Sequence, residues 1–286
     1  MSHEVGISVL IAAYNCEKFI ATAINSVLNS SFRNFELIIV DDNSKDRTPH
    51  IIRSFLPRDG RIKFYQNTSN LGDYPNRNKA ASYAKGKYLK YVDCDDLIYP
   101  WGLEALWNCM EKFPNAGWGL CSLAQDKSRI FPFELSSAEA YRYHSLGPKL
   151  FHKAPLSSII SRKLFEKAGG FEPQRFTGDF ELWHRLAALS PVVLMPHGMV
   201  WYRFHDQQES KNINTEAQNN YLKIERRYLT ATETPLCQEE LNQIHKAKIK
   251  QYQKSLAFAL ASRNFSLAFS IAKEMRSLKP FIKRTS

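Results

Sequence analysis

No glycine-rich cradle for phosphate occurs in this sequence. Nowhere in its 286 residues does G-x-G-x-x-G follow an apolar run, and G-x-x-x-x-G-K-[ST] is absent. That excludes the dinucleotide-binding dehydrogenases and the P-loop enzymes. Any diphosphate must be held by side chains, or by a cation that side chains hold. Cysteine is sparse too. Cys16, Cys94, Cys109, Cys121 and Cys237 are odd in number, scattered and without C-x-x-C spacing, which argues against a disulfide framework or a structural zinc site and for a reducing, cytoplasmic compartment. The long apolar run of a membrane span is missing as well. The first such run, residues 5–13, has nine residues, no basic leader and no small-residue cleavage site, well short of the roughly 18 needed to cross a bilayer. A soluble or peripheral protein is expected. Repeats and low-complexity tracts are likewise absent, and 44% hydrophobic with 23% charged residues is the composition of a folded chain.

What is present alternates. Ile7 to Ala13 and "FELIIV" (Phe35 to Val40) are continuous apolar, β-branched runs suited to strands buried on both faces. "RIKFYQN" and "KYLKYV" read as two further strands. Between them, Ile20, Ile24, Val27 and Leu28, with Asn15 as a possible cap, and then Ile51, Ile52 and Phe55, recur at helical spacing. "PNRNKAASYAKG" reads as a helix closed by Gly86. After Pro100, the positions of Leu103, Leu106, Trp107 and Met110 predict another helix. Strand and helix in this order predict an α/β fold, a mostly parallel Rossmann-like sheet with helices on both faces. The middle is less regular, and "SSAEAYRYHSLGPKLFHKAP" takes no assignment. Ser161 starts a helix ending at "AGGF", Asp179 starts another, and "VVLMP" and "VWYRF" are closing strands.

Acids stand where that sheet would bind a ligand. Open α/β sheets bind beyond the carboxyl ends of their strands. Asp41 and Asp42 follow the second strand, and Asp93, Asp95 and Asp96 follow the fourth. Carboxylates this close repel one another, and a divalent cation with oxygen ligands relieves them. Further along, Asp179 and Glu181 lie two apart on one helix and point about 200° away from each other, at 3.6 residues per turn. Glu181 lies four residues before Arg185, the favourable order for an ion pair. Asp179 is therefore the freer carboxylate of the two, held anionic by the helix N-terminus. Cys94 sits among anions that raise its pKa and is a poor nucleophile. Trp101, Trp107, Trp118 and Trp183 are core residues or flat platforms for a ligand, with Trp183 the best placed to stack on one. His3, His50, His144, His152, His184, His197 and His245 lack metal-ligand spacing and read as surface or satisfied core.

Three stretches in order, "ISVLIAAYNCEKFIATAINSVLNSSFRNFELIIVDDNSKDRT", "NTSNLGDYPNRNKAASYAKGKYLKYVDCDDLIYP" and "KAGGFEPQRFTGDFELWHRLA", resemble the family-2 glycosyltransferases of the GT-A fold over roughly residues 5–210. The resemblance implies a metal-dependent, inverting transferase. It would move a hexose from a nucleoside-diphosphate sugar, most often a UDP-sugar, to a hydroxyl of a saccharide or lipid-linked acceptor, as in polysaccharide or lipooligosaccharide synthesis. Ala12, Ala13, Tyr14 and Asn15 match the nucleotide-binding turn, Asp41 the acid that accepts from the base N–H, with Asp42 beside it in the donor-binding set, and Arg77 the basic residue near the donor. "DCDD" matches the DxD motif: Asp93 at ribose or metal, Asp95 on Mn2+ or Mg2+, Asp96 beside them. His205 matches a histidine near metal and diphosphate, with Arg203 assisting. Asp179 matches the catalytic base, and Trp183 and Glu181 lie where acceptor or diphosphate contacts are possible. Gly178 stands where many members have Glu, and Asn76 where Ala is common.

The resemblance makes residues 1–210 the catalytic domain, with a nucleotide-sugar half of about 1–100 and an acceptor half of about 101–210. Residues 211–286 become a basic helical extension. Of the net charge of +11, this extension carries 14 Lys and Arg against 6 Glu and no Asp. Leu256, Phe258, Leu260, Phe265, Leu267 and Phe269 are interspersed, which suits packing on the catalytic domain or contact with an anionic membrane; nucleic acid is not expected. Two other readings stay open: a sugar-phosphate nucleotidyltransferase, which would normally carry a glycine-rich loop, and an inactive basic binding protein on the same fold.

Overall fold

A computed structural model describes residues 4–206, 214–230 and 234–278. Its strands are β1 (Ile7–Ala13), β2 (Phe35–Asp41), β3 (Ile62–Gln66), β4 (Tyr88–Tyr91), β5 (Leu97–Ile98), β6 (Trp118–Leu123), β7 (Phe133–Leu135), β8 (Ser158–Ser161), β9 (Val192–Pro196) and β10 (Val200–Trp201). Its α-helices are α1 (Ile20–Leu28), α2 (Thr48–Phe55), α3 (Asp73–Ser82), α4 (Gly102–Glu111), α5 (Ser137–Leu146), α6 (Arg162–Ala168), α7 (Gly178–Leu189), α8 (Thr215–Thr230), α9 (Gln238–Ala261) and α10 (Phe265–Leu278). Eight strands form one sheet in the order β3-β2-β1-β4-β8-β6-β9-β7, and β5 pairs with β10 in a separate antiparallel ribbon. The first four strands of the sheet run parallel.

Alternation along each strand builds two cores. Ile7, Val9, Ile11, Leu37 and Ile39 face one cluster with Ile24, Val27, Ile52, Leu106 and Met110 from α1, α2 and α4. Leu10, Ile38, Val40, Leu89 and Tyr91 face the other, with Trp118, Phe180, Trp183 and Leu186. Because both faces are covered, the strands read as mostly apolar runs, and Ser8 and Lys90 within them are buried and hydrogen-bonded, Ser8 donating to Glu36 and Lys90 to the Leu156 carbonyl.

Several local expectations change. Asn15 does not cap α1, which starts five residues later without a side-chain cap; Asn15 instead has a positive φ of 47° and accepts from the Lys45 amide. Gly86 lies past the end of α3 and does not close it. A Cβ there would come 2.5 Å from the Ser8 nitrogen, so the glycine lets the chain pass close to β1. "SAEAYRYHSL" is a helix opened by a Ser136–Glu139 capping box. Of "VWYRF" only Val200 and Trp201 pair as strand.

The helices after residue 214 share the core on one face of the sheet: Ile224, Leu229 and Ile244 belong to the same cluster as Trp183. Polar contacts fix the junction. Glu225 accepts from Lys248 and, at 3.1 Å, from Tyr252, both buried, and lies 3.7 Å from His144. Burial alone would raise the Glu225 pKa, but His144 and Lys248 hold it well below the usual carboxylate range. His184, read as satisfied core, is buried with neither ring nitrogen hydrogen-bonded, and burial keeps it neutral.

Removing one partner of a buried ion pair strands the other. Glu225→Ala, which leaves the Lys248 ammonium buried, should cost about 3–5 kcal/mol of unfolding free energy in urea titrations.

Candidate active site

The site lies where the strand order reverses, between β1 and its neighbours β2 and β4. Ala13 stands opposite Asp41 in the register, and the Asp42 amide donates to the Ala13 carbonyl at 2.8 Å. The turns after the two strands are stitched together. Asn15 N–H donates to Ser44 Oγ at 2.9 Å, and Cys16 N–H to Thr48 Oγ1 at 2.8 Å. This leaves Ala12 and Ala13 at the strand end and the Tyr14 ring exposed at the rim.

The two acids after β2 have different work. Asp41 is fully buried, and its Oδ2 accepts from the Ser44 amide and Gln66 Nε2 at 3.0 and 3.1 Å. Its Oδ1 is buried with no hydrogen-bond partner, a vacancy that a native structure ordinarily fills with a donor. Asp42 is committed to the protein: its oxygens accept from Asn67 Nδ2 and from the Leu71 and Gly72 amides at 2.8 to 3.0 Å. It anchors the loop into α3, and Gly72 takes the φ of +92° that this entry needs. Asn76 completes the anchor, donating to the Val40 carbonyl and accepting from Asn67. That accounts for an asparagine where alanine is common.

So placed, α3 delivers Arg77. The buried guanidinium donates through Nε to Asp73 at 2.8 Å and through Nη1 to Asp93 at 2.6 Å. Asp93, Asp95 and Asp96 follow β4 directly. The β5–β10 ribbon returns the chain to them, so that His205 Nε2 meets Asp95 Oδ2 at 2.8 Å. The Arg203 amide donates to Asp96 Oδ1 at 2.8 Å, and its Nε to the Asp95 carbonyl at 2.7 Å. Phe19 supports both from α1's approach, its ring 5.0 Å from the His205 ring and beneath the Arg203 guanidinium. Burial, then the charge of Asp93, pushes the Asp96 carboxyl up to about 8, against the pull of the Arg203 amide. A hydrogen bond with Cys16 and burial raise the Cys94 thiol, with the acids adding to both.

These residues fit a divalent cation. A carboxylate oxygen suits Mn2+ or Mg2+, whereas an imidazole nitrogen is a donor for a transition metal rather than for Mg2+, and the like charge that raises Asp96 is what a cation relieves. Among the described residues no three His, Cys, Asp or Glu side chains already converge. Asp95 and His205 are the residues that would hold such an ion. Asp93 has one oxygen on Arg77 and could join only through the other.

Asp179 stands in the first turn of α7, half-buried, with its Oδ1 accepting from the Phe180 amide at 2.7 Å. Helix position does not keep its pKa low, contrary to expectation. Burial pushes the carboxyl up to about 7, while the Phe180 amide, the Tyr74 hydroxyl and the Arg77 charge pull down and Asp73 adds to the rise. Tyr74 went unnoticed in the sequence, and Gly178 was its one signal. A Cβ on Gly178 would lie 2.8 Å from two Tyr74 ring carbons and from the Glu172 carbonyl.

Two suggested acceptor contacts are corrected. Trp183 is wholly buried, stacked on Trp118 at 5.6 Å with its Nε1 donating to the Lys153 carbonyl, and so is core rather than a sugar platform. Glu181 is buried, paired with Arg185 at 2.6 Å and accepting from Tyr228 at 2.7 Å, so it ties α7 to α8.

Comparison with known proteins identifies a family and a fold. The sequence model of glycosyl transferase family 2 matches residues 8–169. An uncharacterized glycosyltransferase of Haemophilus influenzae is 25% identical over 236 residues, 78% of this chain and 73% of that protein. Staphylococcus aureus TarS 1-349, solved in complex with UDP-GlcNAc, superposes with a TM-score of 0.63 at 18% identity, over 97% of this chain and 90% of that one. The mannosyltransferase PcManGT of Pyrobaculum calidifontis, solved with GDP-Man and Mn2+, gives 0.60 at 14% identity over 100% and 89%. The likeness to the two structures is one of fold, the GT-A α/β architecture.

Adding a methyl group between Gly178 and the Tyr74 ring forces one of them to move. Gly178→Ala should lower unfolding free energy by about 1–3 kcal/mol, read by chemical denaturation.

Proposed function

The chain belongs to the family 2 glycosyltransferases, and we propose that it is a metal-dependent, inverting hexosyltransferase using a UDP-sugar or a related nucleoside-diphosphate sugar. The observation that carries the reading is the position of Arg77. It bonds Asp93 at 2.6 Å and acts electrostatically on Asp179, so the acidic cluster and the raised carboxyl lie within reach of one side chain. PcManGT was solved with both a nucleotide sugar and Mn2+, which supports the same pairing here.

In this reading the nucleotide lies at the ends of β1 and β2, beside Tyr14. Asp41 Oδ1, buried and unpartnered, accepts the base N–H, which favours a base with a ring N–H such as uracil. Asp95 and His205 would hold Mn2+, which when bound supplies positive charge to the diphosphate. Arg203, beside them, adds charge of the same sign. The acceptor is a saccharide or lipid-linked hydroxyl. Asp179 takes the hydroxyl proton as the oxygen attacks the anomeric carbon. The new C–O bond forms as the bond to the diphosphate breaks on the opposite face, and the nucleoside diphosphate leaves with the electron pair. A carboxyl near 7 is well matched to that task, being half ionised at neutral pH yet far more basic than an exposed aspartate. Residues 1–210 would form the catalytic domain and 211–286 the extension. Residues 207–213 of that boundary lie outside the described region.

The test follows from the sign of the shift. The working form is the carboxylate, populated above about 7, so kcat/KM should be level above that pH and fall tenfold per unit below it. Asp179→Asn should lose about 10²–10⁴-fold in kcat while still binding UDP in calorimetry. It should also melt at or above the wild-type temperature at pH 8, because a raised carboxyl costs stability once ionised. Full turnover by this variant would remove Asp179 from the mechanism.

A further inference from the structure

The last two helices form a hairpin whose free end is unusually apolar. At the turn between α9 and α10, Phe258 is 74% exposed, Leu260 50%, Phe265 67% and Phe269 74%. They cluster within twelve residues of chain, so they are not the scattered surface hydrophobes of an ordinary protein. Behind them the surface is basic. From Leu241 to Leu278 the chain has seven Lys and Arg, of which Lys248 is buried, against one acid, Glu274. That acid is buried and paired with Arg226 at 2.7 Å, so it offers the surface no negative charge.

The order of these residues along each helix is the same when read toward the turn. On α9, Lys246, Lys250 and Lys254 precede Phe258 at intervals of four, one above another on a face. On α10, Phe265 and Phe269 lead, and Lys273 follows four residues later. Each step of four is about 6 Å along a helix. Aromatic rings thus stand at the tip, with ammonium groups roughly one turn behind, and Arg263 lies in the turn itself. Phenylalanine at the acyl boundary and lysine at headgroup depth is the layering an interfacial helix needs.

The hairpin is also held firmly enough to carry load. Its base is bonded to the rest through Lys248 and Tyr252 on Glu225, Arg142 on Glu240, and Arg226 on Glu274. Asn264 seats the turn, its Oδ1 accepting from the Leu267 amide. Helices α9 and α10 share a core of Tyr252, Ala259, Ala268, Ile271 and Leu278 on their inner faces. The exposed phenylalanines lie outside that core.

We propose that the α9–α10 turn is a membrane anchor, inserting Phe258, Phe265 and Phe269 into the interface of an anionic bilayer while the surrounding lysines and arginines meet lipid headgroups. Charge selects this partner over a second copy of the chain, since a symmetric contact would set two strongly basic surfaces against each other. It selects an anionic over a neutral bilayer for the same reason. The anchor does not depend on which sugar the active site transfers.

The test is partitioning of the full-length chain onto vesicles of phosphatidylcholine with 30% phosphatidylglycerol, by sedimentation in 50 mM salt. Binding is expected, with little on pure phosphatidylcholine and a loss of several-fold at 500 mM salt. F258S/F265S/F269S should lower the partition coefficient at least tenfold with an unchanged circular-dichroism melt. The emission that Phe265→Trp adds to that of the five native tryptophans should be quenched by brominated acyl chains, which adsorption by charge alone would not produce. Absence of binding to the anionic vesicles would overturn the proposal, as would undiminished binding by the serine variant or an unquenched tryptophan. So would light scattering that shows a dimer the serine substitutions dissolve, or tight binding of poly(U) that the same substitutions abolish while vesicle binding persists.

Discussion

One guanidinium carries the geometry of this site. Arg77 is buried and bridges Asp73 of its own helix to Asp93 beyond β4, and its charge reaches Asp179 on α7. Without that bridge, the acids after β4 would face one another across a poorly solvated edge, where burial and like charge already push Asp96 up to about 8. Getting the guanidinium there takes a chain of backbone contacts that starts at Asp42. Asp42 fixes the loop to Gly72, Gly72 turns the chain into α3, and Asn76 pins the first turns of that helix to the Val40 carbonyl. The two neighbouring aspartates after β2 thus divide their labour: Asp42 builds the scaffold, and Asp41 keeps an unpartnered oxygen.

The parts of this arrangement written locally in the sequence were legible. Parallel strands covered on both faces announce themselves as apolar runs, and the acids that end them mark the ligand edge. The Glu181–Arg185 pair followed from spacing alone and is present at 2.6 Å. Features that depend on distant packing were not legible. Spacing could suggest that Trp183 stacks on a sugar, but only the approach of Trp118 and the Lys153 carbonyl shows that it is enclosed. Helix position suggested an ordinary, ionised Asp179, whereas burial decides its pKa. Gly178 and Asn76 looked like departures from a pattern. Each has a partner far along the chain, Tyr74 and Val40, that makes the residue necessary.

The helices after residue 214 also differ from their appearance in sequence. Their basic composition reads as an appendage, yet Ile224, Leu229 and Ile244 join the core beneath α7, and Tyr228 bonds Glu181 on the helix of the candidate base. Tyr221 donates to the Phe176 carbonyl, three residues before Asp179. These helices therefore help to hold α7 in place, and among their described residues the large hydrophobic side chains left exposed lie at the α9–α10 turn.

The central claim is that the acids at the sheet edge bind a nucleotide sugar together with a cation. It is tested most directly by thermal shift, with UDP-sugars and GDP-sugars each measured with and without Mn2+. The account predicts that at least one donor raises the melting temperature in a dose-dependent way only when Mn2+ is present, and that Asp95→Asn abolishes the rise. No metal-dependent stabilisation by any donor, or an equal shift in the Asp95→Asn protein, would contradict it.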